Sequence, residues 1–264
     1  MNFLFLLTCA VYALPVTPAC TRTMLQEATA GYLQALAAGS PTFPSLMIGN
    51  VSYEENDVVM DISKGVLSQG IKIDFNRSIY DIFQCVSYTE VVATTKHPYV
   101  IGARLSFTGD KVTMIETNVC DDGDWSFNAT ASLFYNKREK WDPIATADQD
   151  TRQAIQAAAD AYLNEWGNNS IKPPFASNCA RLEGGAYVTN GCSMYFMTPF
   201  NVTHRRYTID EELGAVNIFH NFPWLDASLP KDPGTPTNNF FRIEAGKIHY
   251  IHENTVCSKR NCSR

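Results

Sequence analysis

Two segments that repeat each other decide how this chain of 264 residues is organised: TRTMLQEATAGYL (21–33) and TRQAIQAAADAYL (151–163). Thr, Arg, Gln, Ala, Tyr and Leu coincide in them at an offset of 130 residues. Apolar side chains recur in both at helical spacing, so each segment is predicted to form an amphipathic helix. A repeat of this kind indicates two similar structural units in one chain.

The two halves also end alike. The first closes with LSFTGDKVTMIETN (105–118) and the second with FRIEAGKIHYIHEN (241–254), at an offset of 136. Alternating strands around a two-residue turn predict a β-hairpin in each case. Between these ends, a third similarity occurs at an offset of 129: Arg77 and Asp81, then Arg206 and Asp210. Each half therefore opens with a helix and closes with antiparallel strands, which predicts an α+β fold.

The composition indicates a globular protein. The chain is 45% hydrophobic and 18% charged, which excludes disordered, collagen-like and low-complexity proteins. Its net charge is −6, and no Lys/Arg run is longer than two residues. Nucleic-acid binding and attachment through a basic membrane-surface helix are therefore not expected.

The first residues are predicted to be a signal peptide. Residues 3–14 are almost all apolar, which is too short to cross a bilayer and fits a signal-peptide core. Val11-Tyr12-Ala13 predicts cleavage after Ala13, and Ala19 offers a second position. The chain is thus expected to enter the secretory pathway and to be secreted or vesicular, with no membrane span in the mature form.

Six N-x-S/T sequons favour a glycoprotein: Asn50, Asn76, Asn128, Asn168, Asn201 and Asn261. Removal of Cys9 with the signal peptide leaves seven cysteines, so one thiol is free or forms an intermolecular bridge. Their spacing favours three pairs and leaves other connectivities open: Cys179–Cys192, Cys257–Cys262 and Cys20–Cys85, with Cys120 left over.

Further segments carry a family resemblance: VSYEEN (51–56), HPYVIG (97–102), GDWSFNA (123–129), CARLEGGAY (179–187) and RRYTIDE (205–211). Together with the opening helices and closing hairpins, they resemble secreted fungal proteins built of two SnoaL-like, nuclear-transport-factor-two-like units. The resemblance implies two tandem cones, each a long helix packed in a curved antiparallel sheet around a pocket. The expected organisation is a signal peptide at 1–13, units at 20–140 and 151–264, and a linker at 141–150.

The closing hairpins supply the first candidate site. Continuous alternation from the turn places Glu116 and Asn118 on the apolar face of the first hairpin, and His252 and Asn254 at the equivalent positions of the second. On the floor of a pocket, Glu116 or His252 would serve as acid or base. Asn118 or Asn254 would then donate to a developing oxyanion. The alternative is a satisfied internal hydrogen bond or a strand end in solvent.

A second candidate site follows from the same resemblance. Epoxide hydrolases of that fold hold a water with Tyr and Asn and use an Arg between two Asp residues. Tyr53 and Asn56, with Arg206 and Asp210, offer comparable groups, although their spacing is wider than in the family. An Arg–Asp pair four residues apart on a strand is more often a structural ion pair.

Signatures of serine hydrolases, zinc proteases and nucleotide-binding enzymes are missing from the sequence. We expect no cofactor and no metal. The resemblance favours a cofactor-free cyclase or isomerase that acts on a small polyketide- or terpenoid-type intermediate of fungal secondary metabolism. The alternatives are a secreted, non-catalytic small-molecule-binding or host-interaction protein, and an epoxide hydrolase-like enzyme. The expected partner is a small apolar compound, and the protein is expected to be a monomer or a homodimer.

Overall fold

The computed structural model describes residues 20–262, apart from ten positions inside that range. Those ten are Ile48, Asn50, Asn190, Phe196, Thr198, Trp224, Ala227, Ser228, Lys231 and Asp232. The predicted signal peptide, Cys9 and the sequon at Asn50 lie outside the described residues.

The described residues form a helix-plus-strand series that occurs twice. The first half contains α1 (Arg22–Ala38), β1 (Ser52–Glu55), β2 (Val58–Val59), β3 (Phe75–Asp81), β4 (Val86–Ala93), β5 (Tyr99–Thr108) and β6 (Lys111–Cys120), followed by α2 (Ala129–Asn136). The second half contains α3 (Arg152–Glu165), β7 (Phe175–Glu183), β8 (Ala186–Val188), β9 (Thr203–Asp210), β10 (Ala215–Phe222), β11 (Thr235–Glu244) and β12 (Lys247–Thr255).

Each half builds one six-stranded sheet. The strand orders are β2-β1-β6-β5-β4-β3 and β8-β7-β12-β11-β10-β9, so the second sheet repeats the topology of the first. The sheets are mixed, because β1 runs parallel to β6 and β7 runs parallel to β12. The predicted fold class is therefore wrong: the chain is mostly β, and it does not form two SnoaL-like cones with a long helix in an antiparallel sheet.

The two predicted opening helices are confirmed, and both begin in the same way. Thr21 and Thr151 are the N-caps, and each hydroxyl accepts a hydrogen bond from the backbone N–H three residues ahead, at 3.2 Å. α1 has 17 residues and α3 has 14. Each helix packs its apolar side, which includes Tyr32 or Tyr162, on one face of its own sheet. Helices of this length cover a single sheet face, so the other face must be buried elsewhere.

The other faces of the two sheets pack against each other. Tyr88 of β4 contacts Phe219 and Phe240 of the second sheet, with ring centroids 6.2 and 5.0 Å apart. The sheets approach so closely at Gly102 that a Cβ there would lie 2.8 Å from Nδ2 of Asn238. The architecture is thus four layers, helix–sheet–sheet–helix, with a separate apolar core on each outer side and a mixed interface between the sheets.

Two reciprocal ion pairs join the halves. Arg22, at the start of α1, forms two 2.9 Å bonds with Asp210 at the end of β9. Arg152, at the start of α3, bonds Asp81 at the end of β3 at 2.8 and 2.6 Å. Both aspartates are buried, and each also accepts one backbone N–H from the other half. The expected pairing of Asp210 with Arg206 on the same strand is therefore wrong, because the other half supplies its cation.

Both predicted hairpins form around their two-residue turns, but a β-bulge follows each turn. In the first hairpin Phe107 pairs with Val112 and Ser106 pairs with Met114, so Thr113 is an extra residue. In the second, Ile243 pairs with Ile248 and Arg242 with Tyr250, so His249 is extra. An extra residue reverses the in–out alternation of the rest of the strand.

The favoured cysteine pairing is confirmed. Cys20–Cys85, Cys179–Cys192 and Cys257–Cys262 are disulfides, and Cys120 is a buried free thiol. No helix within the described residues is long and apolar enough to cross a membrane.

Candidate functional site

The four hairpin residues predicted to line a pocket lie instead between the two sheets. Because of the bulges, Ile115 and Ile251 face the helices, while their neighbours Glu116 and His252 face the opposite sheet. Glu116 is held by Arg104 of its own sheet and by Nε of Arg206 of the other half, at 2.6 Å. The predicted equivalence of the two hairpins is correct in position, but the predicted face is wrong.

His252 is clamped by two carboxylates. Its Nδ1 lies 3.0 Å from Oε2 of Glu90 in the first sheet, and its Nε2 lies 2.7 Å from Oε2 of Glu139. Burial disfavours the imidazolium, but the two negative charges outweigh that penalty and raise the pKa of His252 to about 9. A histidine held in this way is a charged part of the interface and is poorly suited to exchange protons near neutral pH.

The two predicted oxyanion donors also belong to the interface. Oδ1 of Asn118 accepts a hydrogen bond from Asn238 at 2.9 Å, and Nδ2 of Asn254 donates to Glu90 at 3.5 Å. Both side chains are buried away from the cavities described below. The prediction that they face a substrate pocket is therefore wrong.

The groups of the epoxide hydrolase alternative are dispersed. The Tyr53 hydroxyl donates to Glu55 at 2.7 Å, and Asn56 bonds the backbone of Val119. Arg206 contacts Asp57 at 3.0 Å, in addition to Glu116. With Asp210 bound to Arg22, these side chains do not assemble into one water-holding relay, and the structure does not support this alternative.

A cavity with mostly apolar walls opens instead on the helix side of the second sheet. Its volume is about 300 Å³, which is near the lower end of the range for small-molecule sites. Its lining residues are Trp125, Glu183, Met194, Phe200, Phe222, Leu225 and Glu253. Trp125 comes from the segment after β6, so the first half supplies one wall of a cavity in the second.

Glu253 is the buried acid of this cavity. The bulge at His249 turns it toward the helix side, where it is 2% exposed and accepts a hydrogen bond from Nδ2 of Asn239 at 3.2 Å. Burial, together with the nearby charge of Glu183, raises the pKa of Glu253 to about 8. Its carboxyl group is therefore mainly protonated at neutral pH and can donate a proton.

Glu183 faces the same cavity from the neighbouring strand, directly across from Glu253 in the sheet register. One of its oxygens accepts the indole N–H of Trp125 at 2.5 Å, and the other accepts a guanidinium N–H of Arg181 at 2.5 Å. An acid and an ion-paired carboxylate thus share one cavity, which is a recurring arrangement of acid–base sites.

A buried histidine orients the amide that holds Glu253. Nε2 of His220 lies 2.5 Å from Oδ1 of Asn239. Burial lowers the pKa of His220 to about 4, so the imidazole is neutral and Nε2 must carry the proton that it shares with the amide oxygen. This contact directs Nδ2 of Asn239 toward Glu253.

The first half lacks the polar chain of His220, Asn239 and Glu253 at the equivalent positions. The sheet registers match His220 with Val91, Asn239 with Ala103, and Glu253 with Thr117. Val91 and Ala103 are fully buried in the first apolar core. The polar chain is therefore a property of the second half alone.

The first half has a cavity of a different kind. It measures about 400 Å³ and is lined by charged side chains of both signs, among them Glu55, Lys64, Asp124 and Arg260. Burial raises the pKa of Asp124 to about 6, although it accepts two backbone N–H groups. Its lining is strongly polar, so an apolar compound would find little surface to bind there.

The described residues contain no group of three or more His, Cys, Asp or Glu side chains that could hold a metal ion. In a comparison with protein families, residues 148–255 match the model described as a domain of unknown function, DUF8021. The matched range contains α3 and β7 to β12, and with them Glu183, Asn239 and Glu253. No curated protein matches the chain.

Sequence reasoning missed Glu253, Glu183, Asn239, His220 and Trp125. One signal was present: in both closing strands two apolar residues stand side by side, Met114-Ile115 and Tyr250-Ile251. Such a break in alternation marks a change of face, and it points to Glu253 rather than to His252 as the inward residue. The contribution of Trp125 had no comparable signal, because it depends on how the halves pack.

Proposed function

We propose that the second half is a cofactor-independent acid–base catalyst that isomerises or cyclises a small apolar compound of polyketide or terpenoid type in secondary metabolism. One observation carries the proposal: Glu253, mainly protonated at neutral pH, projects into a mostly apolar cavity of about 300 Å³. A uniformly apolar cavity would favour a simple carrier, whereas a buried acid with a shifted pKa is typical of a catalytic site.

The chemistry needs one proton donor and one proton acceptor. Glu253 would donate its proton to a carbonyl oxygen of the substrate, which withdraws electrons from the neighbouring carbon. The carboxylate of Glu183 would accept the proton released from that carbon. Return of one proton to a carbon of the substrate and of the enol hydroxyl proton to Glu253 would complete an isomerisation. In a ring closure the enol carbon would instead attack a second, electrophilic carbonyl carbon of the substrate; the proton on Glu183 would pass to the oxygen of that carbonyl, and the enol hydroxyl would return its proton to Glu253 as the first carbonyl re-forms. The apolar walls would hold the substrate folded for the reaction.

The secretory setting is part of the proposal. Three disulfides support maturation in an oxidising compartment, because such bridges are rare in reducing ones. The apolar stretch at residues 3–14 would direct the chain there.

The test is metabolite profiling of the source organism after deletion of the gene, followed by rescue with wild type or with Glu253→Gln. The glutamine keeps the shape of the side chain and its bond to Asn239 but has no proton to transfer. We expect an unreacted intermediate to accumulate in the deletion strain and in the Glu253→Gln strain, and to disappear with wild type. The matched control is Glu27→Gln on the exposed side of α1, which should rescue fully.

Full rescue by Glu253→Gln would remove the catalytic role. An unchanged metabolite profile in the deletion strain would favour the second candidate, a secreted binding protein. The apolar walls of the cavity, among them Met194, Phe200 and Phe222, favour binding with or without catalysis. A binding protein would hold an apolar dye equally well with and without the proton of Glu253.

A further inference from the structure

We propose that the chain carries N-linked glycans at five asparagines: Asn76, Asn128, Asn168, Asn201 and Asn261. All five stand in N-x-S/T sequons and lie within the described residues. Glycosylation of these surface asparagines is independent of the function proposed for the cavity.

Exposure separates these asparagines from the others. Of the sixteen asparagines in the described part of the chain, seven are exposed, and five of those seven are the sequon asparagines. Seven others are buried, and none of the seven is followed by the sequon pattern. A bulky glycan can be carried only at the surface. A random scatter of sequons over the asparagines would have placed some of them in the interior.

The amide groups are also free to carry a sugar. Asn128 caps α2 and Asn168 stabilises a turn, but in both cases the oxygen Oδ1 accepts the bond, from Ala131 and Ser170. The sugar is attached to the nitrogen Nδ2, so glycosylation leaves both bonds in place. Among the described residues, no hydrogen bond is donated by Nδ2 of any of the five asparagines.

Asn76 has a position with a structural consequence. It is exposed on β3, which is an edge strand of the first sheet. Unpaired edge strands can add strands of other molecules and so promote aggregation. A glycan at Asn76 would block this edge, just as charged residues and prolines do in other proteins.

The donor would be an oligosaccharide linked through diphosphate to a membrane polyprenol. In the transfer, Nδ2 forms a bond with the anomeric carbon while the bond from that carbon to the diphosphate breaks. The amide loses one proton, and the polyprenol diphosphate leaves. No oxidant or reductant is needed.

The experiment is expression of the full chain in a yeast, followed by treatment with peptide N-glycosidase and peptide mass mapping. This enzyme converts each glycosylated asparagine to aspartate, so occupied sites are identified individually. We expect a loss of mass on treatment and conversion at all five sites. Lack of conversion at one site overturns the assignment of that site, and lack of conversion at all five overturns the proposal.

Two matched variants test the chemistry at one sequon. Ser170→Ala keeps Asn168 and destroys its sequon, so conversion at Asn168 should vanish; Ser170→Thr restores the sequon and should restore conversion. Asn178→Gln changes an exposed asparagine outside any sequon and should leave the mass loss unchanged. Conversion of Asn168 in Ser170→Ala would show a chemical artefact and would contradict the assignment.

Discussion

The helix-facing side of the first sheet and that of the second have the same register but opposite contents. At three matched positions the first sheet has small or apolar side chains and the second has a polar chain: Val91, Ala103 and Thr117 against His220, Asn239 and Glu253. The first adjoins a strongly polar cavity, whereas the second adjoins a mostly apolar one. The same fold thus accommodates either set of side chains. Polar groups in a core are costly, so their concentration in one half indicates a function there.

The strongest test of the similarity between the halves concerns the reciprocal ion pairs. We expect Asp81→Ala to lower the free energy of unfolding by about 4 kcal/mol, because it leaves the guanidinium of Arg152 without its partner. Asp210→Ala should cost somewhat less, about 3 kcal/mol, since Arg22 is more exposed and also contacts Glu212. Urea unfolding measures both. A loss below about 1 kcal/mol in either variant would show that the pair does not hold the halves together.

An exchange of equivalent residues tests the difference between the halves. We expect Thr117→Glu to lower the free energy of unfolding by about 3 kcal/mol, because it buries a carboxyl beside the carboxylate of Glu55 without a prepared partner. The reverse change, Glu253→Thr, should alter stability by less than about 1 kcal/mol, since removal of a buried acid offsets the lost contacts. Thermal and urea unfolding of the two variants provide the comparison. Equal losses would mean that the two outer cores are not specialised.

The pH dependence of stability should separate two neighbours on β12. The pKa of Glu253 is raised to about 8, so the folded protein keeps a proton that the unfolded chain loses near pH 4. The free energy of unfolding should therefore fall by about 1 kcal/mol per pH unit as the pH rises from about 4 toward 8. His252 should also make the free energy of unfolding fall as the pH rises from about 6.5 to 9, because its pKa is raised to about 9.

The controls for this prediction are Glu253→Gln and His252→Gln. The first should reduce the decline between pH 5 and 6, where His252 is protonated in both states, and leave the decline near pH 9. The second should remove the decline between about pH 6.5 and 9. Unfolding curves across this pH range decide the matter, and identical profiles for the two variants would contradict the assigned environments.

The smallest expected effect concerns Trp125, the residue of the first half that forms one wall of the cavity in the second half. Trp125→Phe keeps an aromatic ring and removes the N–H that Glu183 accepts. This change should lower the free energy of unfolding by about 1 kcal/mol and weaken the binding of an apolar dye. Tyr99→Phe, which removes a hydroxyl near the polar cavity of the first half, is the matched control and should not affect binding of an apolar dye. Dye titration and unfolding measure both variants. Unchanged dye binding in Trp125→Phe would show that the tryptophan does not contribute to the binding wall of the cavity.

Much of the fold could be predicted from local patterns. Thr21 and Thr151 begin their helices as the repeat indicates, and the hairpin turns lie where the alternation places them. The predicted fold class was wrong because it followed the resemblance, which implies two cones that each enclose a pocket. In the structure one sheet is buried against the other, and this packing depends on contacts between residues that are distant in the sequence. The contact between Tyr88 and Phe240 is an example, and no local sequence pattern predicts it.

The candidate site was missed by one residue. Alternation counted without interruption selected His252, and the bulge at His249 gave the pocket position to Glu253. A bulge is hard to recognise in a sequence, because it needs only one additional residue. It nevertheless exchanges the two faces of the strand beyond it. The partners of Glu253 could not be inferred either, since Asn239 and His220 lie on other strands.

The exchange of arginines between the halves has a consequence for the order of folding. Arg22 is fixed by Asp210, which is 188 residues further along the chain. During synthesis the first half therefore leaves the ribosome without the ion-pair partner of Arg22 and with one whole sheet face bare, until β9 and β10 have emerged. We therefore expect neither half to fold independently, and heating or urea should unfold both in one cooperative transition.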